Sequence, residues 1–235
     1  MPDCKPLAER IEHIEARIAS ACEDAGRSRD GVVLLAVSKT RSAEEIECAH
    51  AAGIARFGEN YLDEAAAKQD RIPSTSLEWH FIGPIQSNKT RAIAERFDWV
   101  QSVDRPKIVR RLGEQRPDHL GRLNLLLQVN IDREPQKAGC APDDVEALAA
   151  DVAGFETLQL RGLMAIPSAE NSSEQARAAF ARMRVLYESL QARHPGIDTL
   201  SMGMSGDLEA AIAEGSTMVR VGTALFGPRG QATGD

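Results

Sequence analysis

Eight short apolar runs, each set off from the next by an amphipathic or turn-rich stretch, constrain this chain more than any single motif. The runs are Val32–Val37, Ala55–Gly58, Glu78–Ile82, Trp99–Ser102, Leu123–Val129, Leu158–Ala165, Leu200–Gly203 and Met218–Val221. Helical spacing is read between them at about Tyr61–Gln69, Ser87–Glu95, Pro106–Arg116, Pro142–Val152, Glu174–Ala192 and Leu208–Ala213. The first run, Val32-Val33-Leu34-Leu35-Ala36-Val37, is apolar on both faces, as in a strand of a parallel sheet covered on both sides. Ser42-Ala43-Glu44-Glu45 reads as a capping box that opens a helix reaching about Ala52. Ahead of the first strand, Leu7, Ile11, Ile14 and Ile18 recur at helical spacing on a charged background, and that helix stops near Gly26.

Eight strand–helix alternations in about 200 residues, with no linker-like stretch, predict an α/β fold. It is a single (β/α)8 TIM barrel with an extra N-terminal helix, one domain over 1–235 with its core at about 31–229. The competing architecture is an open doubly wound sheet. Against it, neither a G-x-G-x-x-G nor a G-x-x-x-x-G-K-[ST] fingerprint follows any strand.

Composition narrows the functional classes. The chain has 235 residues, 43% of them hydrophobic and 27% charged, with a net charge of −7. An acidic surface disfavours nucleic acid and anionic membranes. No run approaches the ~18 apolar residues of a membrane span, and no signal peptide is visible at the N-terminus. Cys4, Cys22, Cys48 and Cys140 form no C-x-x-C pair, so four reduced thiols in a cytoplasmic protein are expected and a zinc site is not.

In a barrel, chemistry gathers where strands end at their C-terminal side. Lys39 follows six apolar residues there, and a partly desolvated lysine at a barrel mouth has a lowered pKa and a nucleophilic amine. The plain alternative is a solvated lysine that ends a strand. Ser205-Gly206-Asp207 after the seventh strand and Gly222-Thr223 after the eighth are where barrels often bind phosphate. The alternative there is a capping serine and two chain-turning glycines. A lysine at one end and a phosphate cradle at the other fit an aldehyde-bearing phosphate, and pyridoxal 5′-phosphate (PLP) satisfies both. Arg220, inside the eighth strand, then falls to the pyridine ring, whose nitrogen an arginine keeps unprotonated. Glu59 is expected to point elsewhere or pair with a base. Lys89, Arg91 and Lys137 are candidate anion contacts or solvated cations. The other four histidines, His13, His50, His119 and His194, are read as surface residues, and Trp79 and Trp99 as core.

Five ordered blocks carry a resemblance. They are Val37-Ser38-Lys39-Thr40, Phe57-Gly58-Glu59-Asn60-Tyr61, Trp79-His80-Phe81-Ile82-Gly83 with Gln86-Ser87-Asn88-Lys89, Leu200 through Asp207, and Val219 through Gly227. Together they resemble the pyridoxal phosphate homeostasis protein family over nearly the whole chain. The resemblance implies a barrel like the N-terminal domain of alanine racemase, with PLP held on Lys39 as a Schiff base. It places Ser205, Gly222 and Thr223 on the phosphate, Arg220 on the pyridine nitrogen, and Asn60 and His80 at the barrel mouth. It also implies a cofactor carrier without established turnover, which buffers PLP or delivers it to PLP-dependent apoenzymes.

Two other classes compete: a racemase-like enzyme, and a regulator whose partner reads the loaded state. Racemisation needs a second base. The chain has two tyrosines, Tyr61 and Tyr187, neither expected over the mouth, and no second domain is expected after residue 229. A non-catalytic monomer is expected.

Overall fold

The computed structural model describes residues 4–72, 76–168 and 172–228. Eight parallel strands close into a barrel in simple chain order: β1 (Val33–Val37), β2 (Arg56–Glu59), β3 (Glu78–Phe81), β4 (Trp99–Val103), β5 (Leu123–Gln128), β6 (Leu158–Met164), β7 (Thr199–Ser201) and β8 (Met218–Val221). Closure is made by β1 on β8, with Leu35 opposite Arg220 and Ala36 opposite Val221. The helices are α1 (Lys5–Asp24), α2 (Ala43–Ala51), α3 (Leu62–Arg71), α4 (Thr90–Arg96), α5 (Pro106–Gln115), α6 (Val145–Ala153), α7 (Ser173–Gln191), α8 (Leu208–Ala213) and α9 (Thr223–Phe226). This is the expected (β/α)8 barrel with an additional N-terminal helix.

Local rules explain where the helices start. Ser42 and Ser172 each form a reciprocal capping box, with Glu45 and Gln175 respectively, and Pro106 opens α5. The fourth helix begins three residues later than expected, at Thr90, because Lys89 occupies its N-cap. The main core lies between strands and helices, while Trp99, Leu126 and Met164 form a separate cluster. Alternation therefore sends Leu35, His80, Gln101, Ser201 and Arg220 toward the barrel axis.

Leu7, Ile11, Ile14 and Ile18 are all buried, and α1 packs on α2, α8 and α9. One expectation is corrected here. Cys4 and Cys48 are joined by a disulfide, with Cα atoms 5.3 Å apart. The packing of α1 on α2 brings together residues 44 positions apart, a proximity that spacing does not reveal. Only Cys22 and Cys140 are free, and both are buried. The thiols thus no longer argue for a reducing compartment. Among the described residues, no helix is long and apolar enough to cross a membrane.

Candidate functional site

Lys39 lies half-buried in the turn just after β1. Continuing the strand's alternation puts it on the axis side with Leu35 and Val37. The turn is held from outside the barrel. Ser38 N donates to Gly58 O (3.0 Å), and Ser38 Oγ donates to Glu59 Oε1 (2.6 Å). Lys68 Nζ, on α3, donates to Ser38 O (2.8 Å) and to Glu59 Oε1 (2.7 Å). Glu64 accepts from both Thr40 N and Lys68. Thr40 sits at φ +64°, a left-handed conformation that a β-branched residue adopts only when its surroundings impose it. Glu59 thus points away from the mouth and pairs with a base, as expected. Burial pushes its carboxyl above the ordinary range, against the charge and hydrogen bond of Lys68.

The neighbouring strands supply the opposite end of the site. Gly203, after β7, has φ +93°, and a Cβ there would sit 2.5 Å from Ala211 Cβ, so glycine is required. The turn continues through half-buried Ser205 to Asp207, which caps α8 and whose Oδ1 accepts from Met204 N (2.6 Å). Gly222 caps α9, and Thr223 is its first residue. A Cβ on Gly222 would lie 3.3 Å from Val37 O, so the β8 end rests closely on β1. Closure of β7, β8, β1 and β2 in succession brings Ser205, Gly222, Thr223, Lys39 and Asn60 onto one arc of the mouth.

The N-terminal helix grips this arc. Arg17 donates to Ser205 O (3.0 Å) and pairs with Glu209 (2.8 Å), while Arg10 donates to Leu225 O (2.7 Å). Arg41, beyond β1, donates to Gly227 O. These arginines escaped the sequence reading because their acceptors are backbone carbonyls; Arg17 and Ser205 are 188 positions apart.

Arg220 lies below the arc, 4% exposed. Nη1 donates to Ser201 Oγ (2.7 Å) and Nη2 to Ala165 O (2.8 Å). Burial lowers its pKa to about 10, partly opposed by Asp207, so it remains a cation at neutral pH. Two of its five N–H donors are engaged in this way, leaving donors for a ligand.

His80 departs from expectation. It is fully buried inside the barrel rather than at the mouth, with Nε2 on Glu78 Oε1 (2.8 Å), Nδ1 on Gln101 Nε2 (2.9 Å) and its ring stacked on Trp99. Matching a motif fixed its strand but not its depth along that strand. Burial lowers its pKa despite the adjacent Glu78. Asn60 lies at the rim, next to a groove of about 260 Å³ that also touches Tyr61, Pro84 and Lys89. Its Oδ1 is buried with no hydrogen-bond partner among the described residues. Lys89 pairs with Asp63 (3.1 Å), and Lys137 Nζ lies 2.8 Å from Glu134 Oε1; neither joins the arc. Trp79 and Trp99 are core, as read. His13 and His119 are exposed, whereas half-buried His50 bonds to Ile54 O and His194 to Glu146.

Comparisons with known proteins agree with this architecture. The model of the family described as alanine racemase, N-terminal domain, matches residues 10–230. A pyridoxal phosphate homeostasis protein of Pseudomonas aeruginosa is 57% identical over 95% of this chain and 96% of its own. The structure of PipY from Synechococcus elongatus with PLP bound superposes with a TM-score of 0.82 at 38% identity, covering 94% of this chain and 100% of that one. Alanine racemase from E. faecalis shares the fold, with a TM-score of 0.72 at 16% identity over 96% of this chain and 58% of its own. The chain belongs to the alanine racemase N-terminal-domain family and, within it, to the pyridoxal phosphate homeostasis proteins.

Proposed function

We propose that this protein binds PLP at the β7–β8–β1 end of its barrel, with Lys39 holding the aldehyde carbon as a Schiff base. The reading extends to intracellular cofactor homeostasis: a monomer that buffers PLP or delivers it to PLP-dependent apoenzymes. The observation that carries it is one arc holding a half-buried lysine, a hydroxyl- and glycine-lined cradle and, beneath them, a buried arginine. PLP bound to PipY supports the ligand, and the name shared by the relatives supports the role.

The residues present fit the group. Arg220 keeps N–H donors for an aromatic nitrogen, and the buried Asn60 Oδ1 awaits a donor. PLP, when bound, supplies an electrophilic carbonyl conjugated to a ring that accepts electron density. Ser205 and Thr223 donate hydroxyls toward its phosphate, and the Gly222 and Thr223 amides approach it without a side chain between. Arg220 donates a hydrogen bond to the ring nitrogen while keeping its own proton. Lys39 is presented by a turn that Glu59, Glu64 and Lys68 immobilise.

A non-catalytic role is favoured by the two tyrosines. Tyr187 is buried in α7 with its hydroxyl on Gln191 (3.1 Å), and Tyr61 is 56% exposed as the N-cap of α3. Neither is placed to deliver a second proton, a contribution of typically 10²–10⁴-fold. The test has two arms. Borohydride reduction of the loaded protein, followed by peptide mass mapping, should put the pyridoxyl group on Lys39; an adduct mainly on Lys89 or Lys137 refutes the site. Incubation with L- and D-amino acids in deuterated water should show α-proton exchange far slower than ~1 s⁻¹. Faster exchange establishes the racemase-like alternative, and transfer to a PLP-free apoenzyme with free cofactor trapped supports delivery.

A further inference from the structure

A file of hydrogen bonds crosses the barrel interior from the floor of the mouth toward the opposite end. Arg220 Nη1 meets Ser201 Oγ at 2.7 Å, and Ser201 Oγ meets Gln101 Oε1 at 2.8 Å. Gln101 Nε2 meets His80 Nδ1 at 2.9 Å, and His80 Nε2 meets Glu78 Oε1 at 2.8 Å. Glu78 also accepts from Arg56 (3.1 Å) and lines a basal cavity of about 410 Å³. Ser201, Gln101 and His80 are fully buried, and they come from β7, β4 and β3.

The chemistry of the two ends dictates the direction of every bond between them. A guanidinium only donates, and an ionised carboxylate only accepts. Ser201 accepts from Arg220, so its one proton goes to Gln101 Oε1. The amide then turns its NH₂ to His80, whose Nδ1 must be the unprotonated nitrogen, and the ring proton sits on Nε2 facing Glu78. Gln101 Nε2 also lies 3.1 Å from Met218 Sδ, a weak acceptor that suits an NH₂ and not a carbonyl oxygen. Reversing the amide would face Gln101 Oε1 with a bare Nδ1, or would require a charged ring. The groups around His80 are consistent with a neutral ring: Glu78 on its own strand, Asp98 and Arg56 at longer range, and the stacked Trp99. Burial raises the Glu78 carboxyl, but its hydrogen bond with His80 and the charge of Arg56 work against this and lower it.

We propose that Gln101 is a positioning residue for Arg220: acting through Ser201, it fixes which guanidinium N–H groups are spent inside the barrel and which face the mouth. The proposal rests on the PLP-binding reading for its ligand, but the order of donors stands without it. Two of the residues involved, Gln101 and Ser201, touch no part of the proposed ligand; their role is to orient the one that does.

The experiment separates the two. In the full-length ligand-free protein, ¹⁵N-detected imidazole NMR should show His80 as the neutral Nε2–H tautomer at pH 7. In Gln101→Glu, the introduced carboxylate can accept from Ser201 but not donate to Nδ1, so His80 should become an imidazolium. Titration with PLP then reads Arg220. Gln101→Leu and Ser201→Ala should weaken PLP binding about fivefold to tenfold and shift the pH profile of its visible absorption. Ser201→Thr, which keeps the hydroxyl, should restore both. A wild-type His80 that is Nδ1–H or charged overturns the file. Variants that fold and bind PLP with an unchanged absorption profile overturn the positioning role. A wild-type protein that shows the tautomer but binds no PLP overturns the ligand reading and, with it, the proposed role of Gln101.

Discussion

Lys68→Met tests whether the buried cluster behind Lys39 is as consequential as its geometry implies. Lys68 Nζ lies 2.7 Å from Glu59 Oε1, with side-chain exposures of 6% and 0%. At an effective dielectric of about 20, unit charges at that separation attract by about 6 kcal/mol before desolvation is subtracted. Removing one partner leaves a buried carboxylate uncompensated, which costs about 3–5 kcal/mol. In a chain of this size that lowers Tm by roughly 6–20 °C. The pH dependence has a definite sign. Burial raises Glu59 above its ordinary value, so the folded state binds the proton more tightly than the unfolded state. That contribution is complete below the unfolded carboxylate value of about 4.3 and is lost as pH rises through the folded one. Without Lys68 the folded value climbs further, so the variant should be less destabilised at pH 5 than at pH 8. Glu59→Gln in the same background should recover most of the loss at pH 8. PLP affinity should fall in the single variant as well, because Lys68 and Glu59 hold Ser38 next to Lys39. Differential scanning calorimetry at the two pH values is the assay. A Tm loss under 2 °C, or one equal at pH 5 and pH 8, refutes the argument.

Two further predictions follow from the mouth and the N-terminal helix. Thr223→Val and Ser205→Ala should each weaken PLP by about 10- to 150-fold, the loss of a hydrogen bond to a charged group, while leaving unphosphorylated pyridoxal nearly unaffected; equal losses for both ligands in a parallel titration would remove these residues from the phosphate. Reducing the Cys4–Cys48 disulfide, which spans 44 positions, should release up to about 4 kcal/mol of chain-entropy stabilisation, read as a lower midpoint in urea with dithiothreitol than without.

The parts of this protein that follow a local rule were legible in the sequence. Val32–Val37 announced itself as a strand buried on both faces and Leu123–Val129 as a strand, Ser42 and Glu45 as a capping box, and Leu7 to Ile18 as a packed helix. The placement of Lys39, Ser205, Gly222 and Thr223 just past the strand ends was legible, because the strand order of a barrel fixes it. The polar interior was not. In strands of three to five residues, such as β7 and β4, both sides are buried, so alternation cannot say whether Gln101 or Ser201 faces the axis or the helices. His80 was misplaced for a different reason: a motif match assigns a strand but not the depth along it. The Cys4–Cys48 bridge and the Arg17 contact with Ser205 join positions that only the closed fold brings together.

The buried groups also bear on how this barrel would treat PLP under the proposed function. A guanidinium that keeps its proton up to about pH 10 donates a hydrogen bond to a pyridine-type nitrogen but transfers no proton to it. Under the proposed function, the ring then draws electrons less strongly than a protonated one, and carbanion chemistry loses its main stabiliser. Arg220 is also fixed: Ser201 and Ala165 take its two terminal nitrogens, so it cannot swing away to let the ring protonate. Here Tyr187 is spent on Gln191 in α7 and Tyr61 stands exposed outside the arc. If PLP is held as proposed, the contacts to its ring and phosphate are neutral donors and a permanent cation, none of which delivers a proton at neutral pH.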